Sequence, residues 1–247
     1  MKRENNVSVP RLRSPWAVLK ASAAELTKLQ TVCAMAIMLA ACYVFGMLTI
    51  PLLGQALQIK FSFLIYALCG TLYGPVPAML LGLCDQLLIE TLLKGNGILF
   101  GYILSFAFRG ILFGSFLYYR TLSAKGMTFA RLALVKSADT VLYNILINTY
   151  LNYHYGFISA GSFAAAVGVR VGKNIVLLPL EIFLLCAFTH AMLRALPAAG
   201  MTPRIESRAI TGKQIAVIVV LAVVGLSLLL AYLLIPGFRE VLSFGIH

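Results

Sequence analysis

Long apolar segments recur along this 247-residue chain at 28–50, 58–74, 76–93, 98–119, 131–153, 171–193 and 214–235. That recurrence leaves few folds open. A helix that spans the hydrocarbon core needs about 20 mostly apolar residues, and most of these segments are long enough. Backbone amides in lipid find no water, so a chain of such segments must close its hydrogen bonds within helices. Only 11% of the residues are charged, against roughly 25% in an average soluble domain. No long polar stretch remains from which a soluble domain could be built, and the same figures exclude a disordered or collagen-like chain. The expected fold class is an all-α integral membrane protein.

The net charge of +12 does not point to nucleic acid, because the basic residues flank apolar segments instead of covering a polar surface. They also fix an orientation. Lys2, Arg3, Arg11, Arg13, Lys20 and Lys28 precede or open the first segment. Arg120, Lys125 and Arg131 follow the fourth, and Arg194, Arg204, Arg208 and Lys213 follow the sixth. Thirteen of the 20 Lys and Arg residues thus share one side, against Lys60, Lys94, Arg170 and Arg239 on the other. The positive-inside bias places the N-terminus in the cytoplasm of a multi-pass plasma-membrane protein. Residues 1–27 read as a basic cytoplasmic tail or an interfacial helix marked by the only tryptophan, Trp16. Residues 197–213 read as a cytoplasmic linker, and 214–247 as an extra transmembrane helix with an outer tail.

Ionisable groups within a bilayer are costly, so each calls for a partner or a use. Asp85 lies midway along the third segment and Arg109 midway along the fourth. Counted from Asn96 in the turn between them, they are 11 and 13 residues away, which predicts similar depth. Two uses stay open: an Asp85–Arg109 ion pair, or an Arg109 held by Asp85 towards a ligand. In the fifth segment Thr140, Asn144, Asn148 and Asn152 recur every four residues, on one face of an α-helix. That face either lines a ligand site or hydrogen-bonds to other helices. Lys136 and Asp139, three apart, suit a local ion pair. In the sixth segment Arg170, Asn174 and Glu181 share a face, with Lys173 beside Asn174. Two cations near a helix N-terminus make an anion-binding mouth on the outer side, or else snorkel to headgroups. Lys60 and Lys94 would widen that positive rim. Gly70 and Gly74, like Gly110 and Gly114, are four apart, a spacing that suits close helix packing.

Nothing in the motifs supports an enzyme. There is no HExxH, no Gly-x-Ser-x-Gly and no phosphate-cradling glycine loop. Cys33, Cys42, Cys69, Cys84 and Cys186 sit singly in apolar stretches and read as small hydrophobes. No metal or cofactor is expected. Lacking a Walker motif, the chain would need partners to accumulate a solute.

Several stretches in order resemble the S components of energy-coupling factor (ECF) transporters, most closely the folate-type branch. They are Phe61-Ser-Phe-Leu-Ile-Tyr-Ala-Leu-Cys-Gly-Thr-Leu-Tyr-Gly-Pro75 with Gly82-Leu-Cys-Asp85, and Phe100-Gly-Tyr-Ile-Leu-Ser with Arg109-Gly-Ile-Leu-Phe-Gly114. Ile147-Asn148-Thr149 and Arg170-Val-Gly-Lys-Asn-Ile-Val-Leu-Leu-Pro-Leu-Glu181 complete the set. The resemblance implies a six-helix substrate-binding core over 28–196, which captures a vitamin outside. It also implies docking on a transmembrane coupling protein with two ATPase subunits, and reorientation in the membrane to release the vitamin. Ala36 and Ala40 match the family's small-residue docking face on the first helix. The family's ligand site lies in the outer half, where Asn148, Arg170 and Lys173 were placed above on their own grounds. Folate suits these residues. Its glutamate carboxylates match Arg170, Lys173 or Lys94, and its pterin edge matches Asn148, Asn174 or Asp85. Tyr102, Phe106, Tyr150 and Phe157 are available for stacking or for packing.

The seventh segment departs from a six-helix family core. Two alternatives remain beside folate: an S component for another vitamin or small nutrient, and a non-transport membrane scaffold whose polar stripes only join helices.

Overall fold

A computed structural model describes residues 14–47, 49–53, 57–88, 97–121, 127–157 and 163–198, with isolated positions elsewhere, including several between 216 and 230. Helix α1 runs Pro15–Glu25 and α2 Leu29–Met47. Strands β1 (Thr49–Leu53) and β2 (Leu57–Lys60) follow, then α3 (Ser62–Tyr73), α4 (Pro75–Leu88) and α5 (Phe100–Leu117). A short 3-10 turn at Tyr119–Thr121 precedes a composite helix, made of α6 (Phe129–Ala138), a π-helical stretch (Asp139–Ile147) and α7 (Asn148–His154). Helix α8 is Phe163–Ala198.

Among the described residues, three helices are long and apolar enough to cross a membrane: Leu29–Met47, Phe100–Leu117 and Arg170–Ala195. The composite helix joins stretches of ten, nine and seven residues end to end, enough to span as well. Helices α3 and α4 are shorter, and α3, at 12 residues, rises only about 18 Å. Almost every α3 residue is buried, from Ser62 to Tyr73. A helix covered on all sides needs no amphipathic stripe, and α3 is the centre of the bundle.

Glycines set how close its neighbours come. A Cβ on Gly70 would lie 2.8 Å from the backbone nitrogen of Gly114 on α5. On Gly82 it would strike the Phe106 carbonyl, on Gly110 the Ala78 carbonyl, and on Gly114 the backbone of Pro75. The glycines read from the sequence as packing positions are therefore where α3, α4 and α5 meet backbone to backbone. At the α3–α4 turn Gly74 takes φ +86°, a conformation that glycine adopts without strain.

One element differs from the sequence reading. The apolar segments 28–50 and 58–74 are not helical to their ends: Thr49–Lys60 includes an antiparallel hairpin in which Thr49 pairs with Lys60 and Ile50 with Ile59. Pro51 lacks an amide hydrogen, so the chain there cannot continue an α-helix without losing a bond. Helix α1, one of the two readings of residues 1–27, is seated on the bundle. Ser22 Oγ donates to the Tyr73 carbonyl at 2.8 Å and accepts from the Val76 amide at 3.0 Å. The linker 197–213 lies outside the described residues. The described positions between 216 and 230 are helical, and a Cβ on Gly225 would lie 3.3 Å from Pro179 Cβ.

Candidate functional site

One half of the bundle holds a buried ionic cluster. Arg109 forms a bidentate pair with Asp139, Nε–Oδ1 at 2.8 Å and Nη2–Oδ2 at 3.0 Å. Lys136 Nζ donates to Asp139 Oδ2 at 3.0 Å. It also lies 3.1 Å from Glu181 Oε2 on α8, close enough for an ion pair though out of line for a hydrogen bond. Aromatic faces complete the shell. The Arg109 guanidinium lies 4.6 Å from the Tyr143 ring and 5.5 Å from that of Tyr66, and Lys136 Nζ lies 4.2 Å from the Phe63 ring. Two cations and two carboxylates thus balance in a site closed to solvent.

The Lys136–Asp139 pair is the one expected from its spacing. The expected Asp85–Arg109 pair is not formed. Asp85 is buried and accepts from the Tyr66 hydroxyl at 2.8 Å, while Arg109 turns to Asp139. The reason is depth. Gly82 packs against Phe106 and Gly110 against Ala78, which sets the register of the two antiparallel helices. Asp85 therefore stands level with Ile103, six residues or about 9 Å from Arg109. The cluster uses two of the Arg109 nitrogens, so Arg109 anchors helices before it can meet any ligand.

The polar face of the composite helix also departs from a straight α-helix. Asp139–Ile147 is π-helical, with bonds reaching five residues instead of four, a feature that recurs at functional sites. The wider turn buries Asp139, Thr140 and Tyr143 together. Thr140 is buried with no partner for its hydroxyl. Asn144, Asn148 and Asn152 are half-buried. Asn152 Nδ2 donates to Asn148 Oδ1 at 2.6 Å, which leaves the Asn148 amide hydrogens free to donate.

Helix pairing brings Arg170, Asn148 and Tyr102 to one level. Lys136 meets Glu181, so on antiparallel helices Arg170, eleven residues before Glu181, stands near Ile147 and Asn148. By the same count from the Arg109–Asp139 pair, Tyr102 stands near Leu146. Tyr102 and Tyr143 are electrostatic neighbours of Arg170. Arg170 is half-buried and, among the described residues, has no carboxylate partner. Asn174 donates to the Arg170 carbonyl at 2.8 Å. The Lys173 side chain and Lys94 lie outside the described residues, as do the side chain of Lys60 and the whole of Asn96.

Above this level is an aromatic shelf that the sequence shows only in part. Tyr102 stacks on Tyr155 with centroids 5.7 Å apart and lies 6.4 Å from Phe157. Phe106 meets Tyr143 edge-on at 5.6 Å. Tyr150 stacks on His154 at 5.8 Å, and His154 in turn meets Tyr155 edge-on at 5.4 Å. Tyr155 and Tyr143 were missed because each lies off the asparagine stripe. The only signal for Tyr155 was that aromatics crowd 150–157, and Tyr143 had none. Among the described residues no group of His, Cys, Asp or Glu is placed to hold a metal.

Among the described residues, a cation without a carboxylate partner and amide donors lie at one level with stacked rings above them, an arrangement that suits a flat heteroaromatic compound with a carboxylate. Comparison with known proteins agrees in fold. The family model described as ECF-type riboflavin transporter, S component, matches residues 26–189. A solved structure described as the crystal structure of FolT bound with folic acid is similar at 22% identity and a TM-score of 0.54. The match covers 64% of this chain and 91% of that one. No curated protein matches.

Proposed function

The chain belongs to the ECF-type riboflavin transporter S-component family, a multi-pass membrane protein that serves as a substrate-binding subunit, and we propose that its substrate is folate. The observation that carries this reading is Arg170. A half-buried guanidinium with no carboxylate partner among the described residues is costly unless an anion meets it, and the glutamate tail of folate supplies two. The pterin edge pairs with Asn148 and Asn174 amides, and the ring stacks against the Tyr102–Tyr155 shelf. Asn144 lines the approach, and Lys173 adds charge at the mouth. The same fold in a protein bound to folic acid supports the assignment.

Riboflavin is the second reading, favoured by the name of the matched family. Its isoalloxazine would use the same shelf, but it carries no carboxylate and would leave Arg170 unmatched. The experiment that separates them is equilibrium binding to the detergent-purified chain: folic acid should bind, and pterin without its glutamate should bind more weakly.

Ala36 and Ala40 would dock the coupling protein. Both lie on the exposed face of α2, with Cys33, Ile37 and Val44, opposite the buried Ala34, Met38 and Cys42. Small residues there admit a close helix. Leucine at both positions should leave folate binding intact and abolish co-purification with the coupling and ATPase subunits. Unchanged co-purification would remove these alanines from the interface. In this reading the N-terminus is cytoplasmic and α8 begins on the outer side.

A further inference from the structure

Helix α1 has two faces with different fates. Ser22 and Glu25 are buried against the bundle. Ser22 bridges the Tyr73 carbonyl and the Val76 amide across the α3–α4 turn. Glu25 pairs with Lys28 at 2.7 Å and with Arg120 at 3.0 Å, and the Leu12 amide donates to the Arg120 carbonyl. The chain entering α1 and the residue ending it are thus both tied to the end of α5. A Cβ on Gly74 would lie 2.7 Å from Ser22 Oγ, so the seat fits only a glycine turn.

The opposite face carries Trp16, Leu19, Lys20 and Ala23, all exposed and spaced as one helical stripe. Trp16 is 76% exposed and Leu19 41%. Three features on this end of the molecule say what covers that stripe. Four residues after Glu25 the chain becomes α2, whose exposed Leu29, Val32 and Ile37 continue the apolar surface along a membrane span. The stripe therefore stands at the edge of the hydrocarbon layer. Its one charge is a lysine, and the segment through Lys28 holds six Lys and Arg against Glu4 and Glu25, which complements anionic headgroups. The exposed ring is an indole, whose apolar body and N–H donor favour the headgroup level.

We propose that α1 is an interfacial anchor whose Trp16–Leu19–Lys20–Ala23 face inserts among anionic phospholipid headgroups while Ser22 grips the α3–α4 turn and Glu25 holds Arg120 in the turn after α5. The lipid surface at that end of the bundle is thereby fastened to α3 through Ser22 and to the end of α5 through Glu25.

Trp16 is the only tryptophan, so the unmodified full chain reports on its own contact. In phosphatidylglycerol vesicles, lipids brominated near the headgroup end of the acyl chain should remove most of the tryptophan emission. Lipids brominated near the chain terminus should remove less, and aqueous iodide little. Lys20→Glu should shift the emission to the red in phosphatidylglycerol and leave it unchanged in phosphatidylcholine. Free quenching by iodide with none by bromolipid would overturn the proposal, since the stripe would then stand in water. So would shielding that appears only after the coupling subunits are added, which would make the occupant a protein. An identical response of the Lys20→Glu chain in both lipids would remove the anionic headgroup from it.

Discussion

Asp139→Asn is expected to cost about 3–5 kcal/mol of stability, because it leaves two buried cations facing one carboxylate. Asparagine would leave one uncharged oxygen for the three donors that Asp139 now accepts, from Arg109 at 2.8 and 3.0 Å and from Lys136 at 3.0 Å, and would turn an amide NH2 towards the others. Neither cation can reach water: Lys136 is fully buried and Arg109 nearly so. Native proteins are stable by only about 5–15 kcal/mol, so the variant should lose its single size-exclusion peak and melt far below the parent. A double variant sharpens the test. Lys136→Met alone orphans Glu181, whereas Lys136→Met with Asp139→Asn removes one charge of each sign. The pair should therefore be less destabilised than the sum of the singles. Additive losses would mean that the cluster does not act as a unit.

Arg170→Gln is expected to act on the ligand and not on the fold. The guanidinium has no carboxylate in the described chain to abandon, so melting of the unliganded protein should stay near that of the parent. A charge-assisted bond to a carboxylate contributes about 1.5–3 kcal/mol, so folate affinity should fall by about 10- to 100-fold. The loss should vanish for a pterin that lacks the glutamate. If Arg170→Gln weakened both ligands equally, the residue would shape the pocket without meeting the tail.

Both predictions rest on residues visible in the sequence, but on different kinds of signal. Local spacing was legible. Lys136 and Asp139 are three apart and do pair, and the glycines at 70, 110 and 114 do mark close helix contacts. Arg170, Asn144, Asn148 and Asn174 were singled out, and helix register sets them at one level. Long-range partners were not legible. Arg109 and Asp139 are 30 residues apart, and no spacing in the sequence links them. The count from Asn96 that paired Arg109 with Asp85 instead was out by about one turn of helix. The π-helical stretch was hidden because Thr140, Asn144, Asn148 and Asn152 fit an α-helical period without it. The hairpin was hidden because Thr49–Lys60 is as apolar as the helices beside it and shows no clean alternation. Helix α1 was signalled by Trp16, which is exposed, but nothing in the sequence ties Ser22 to a turn 51 residues away.

Calorimetric titration of the purified full chain with folic acid and with riboflavin tests the central claim most directly. Saturable, tight folic acid binding with no response to riboflavin is the expected result. Tight riboflavin binding without folic acid binding would contradict the substrate assignment, and a folded chain that binds neither would contradict a capture role for the Arg170 site altogether.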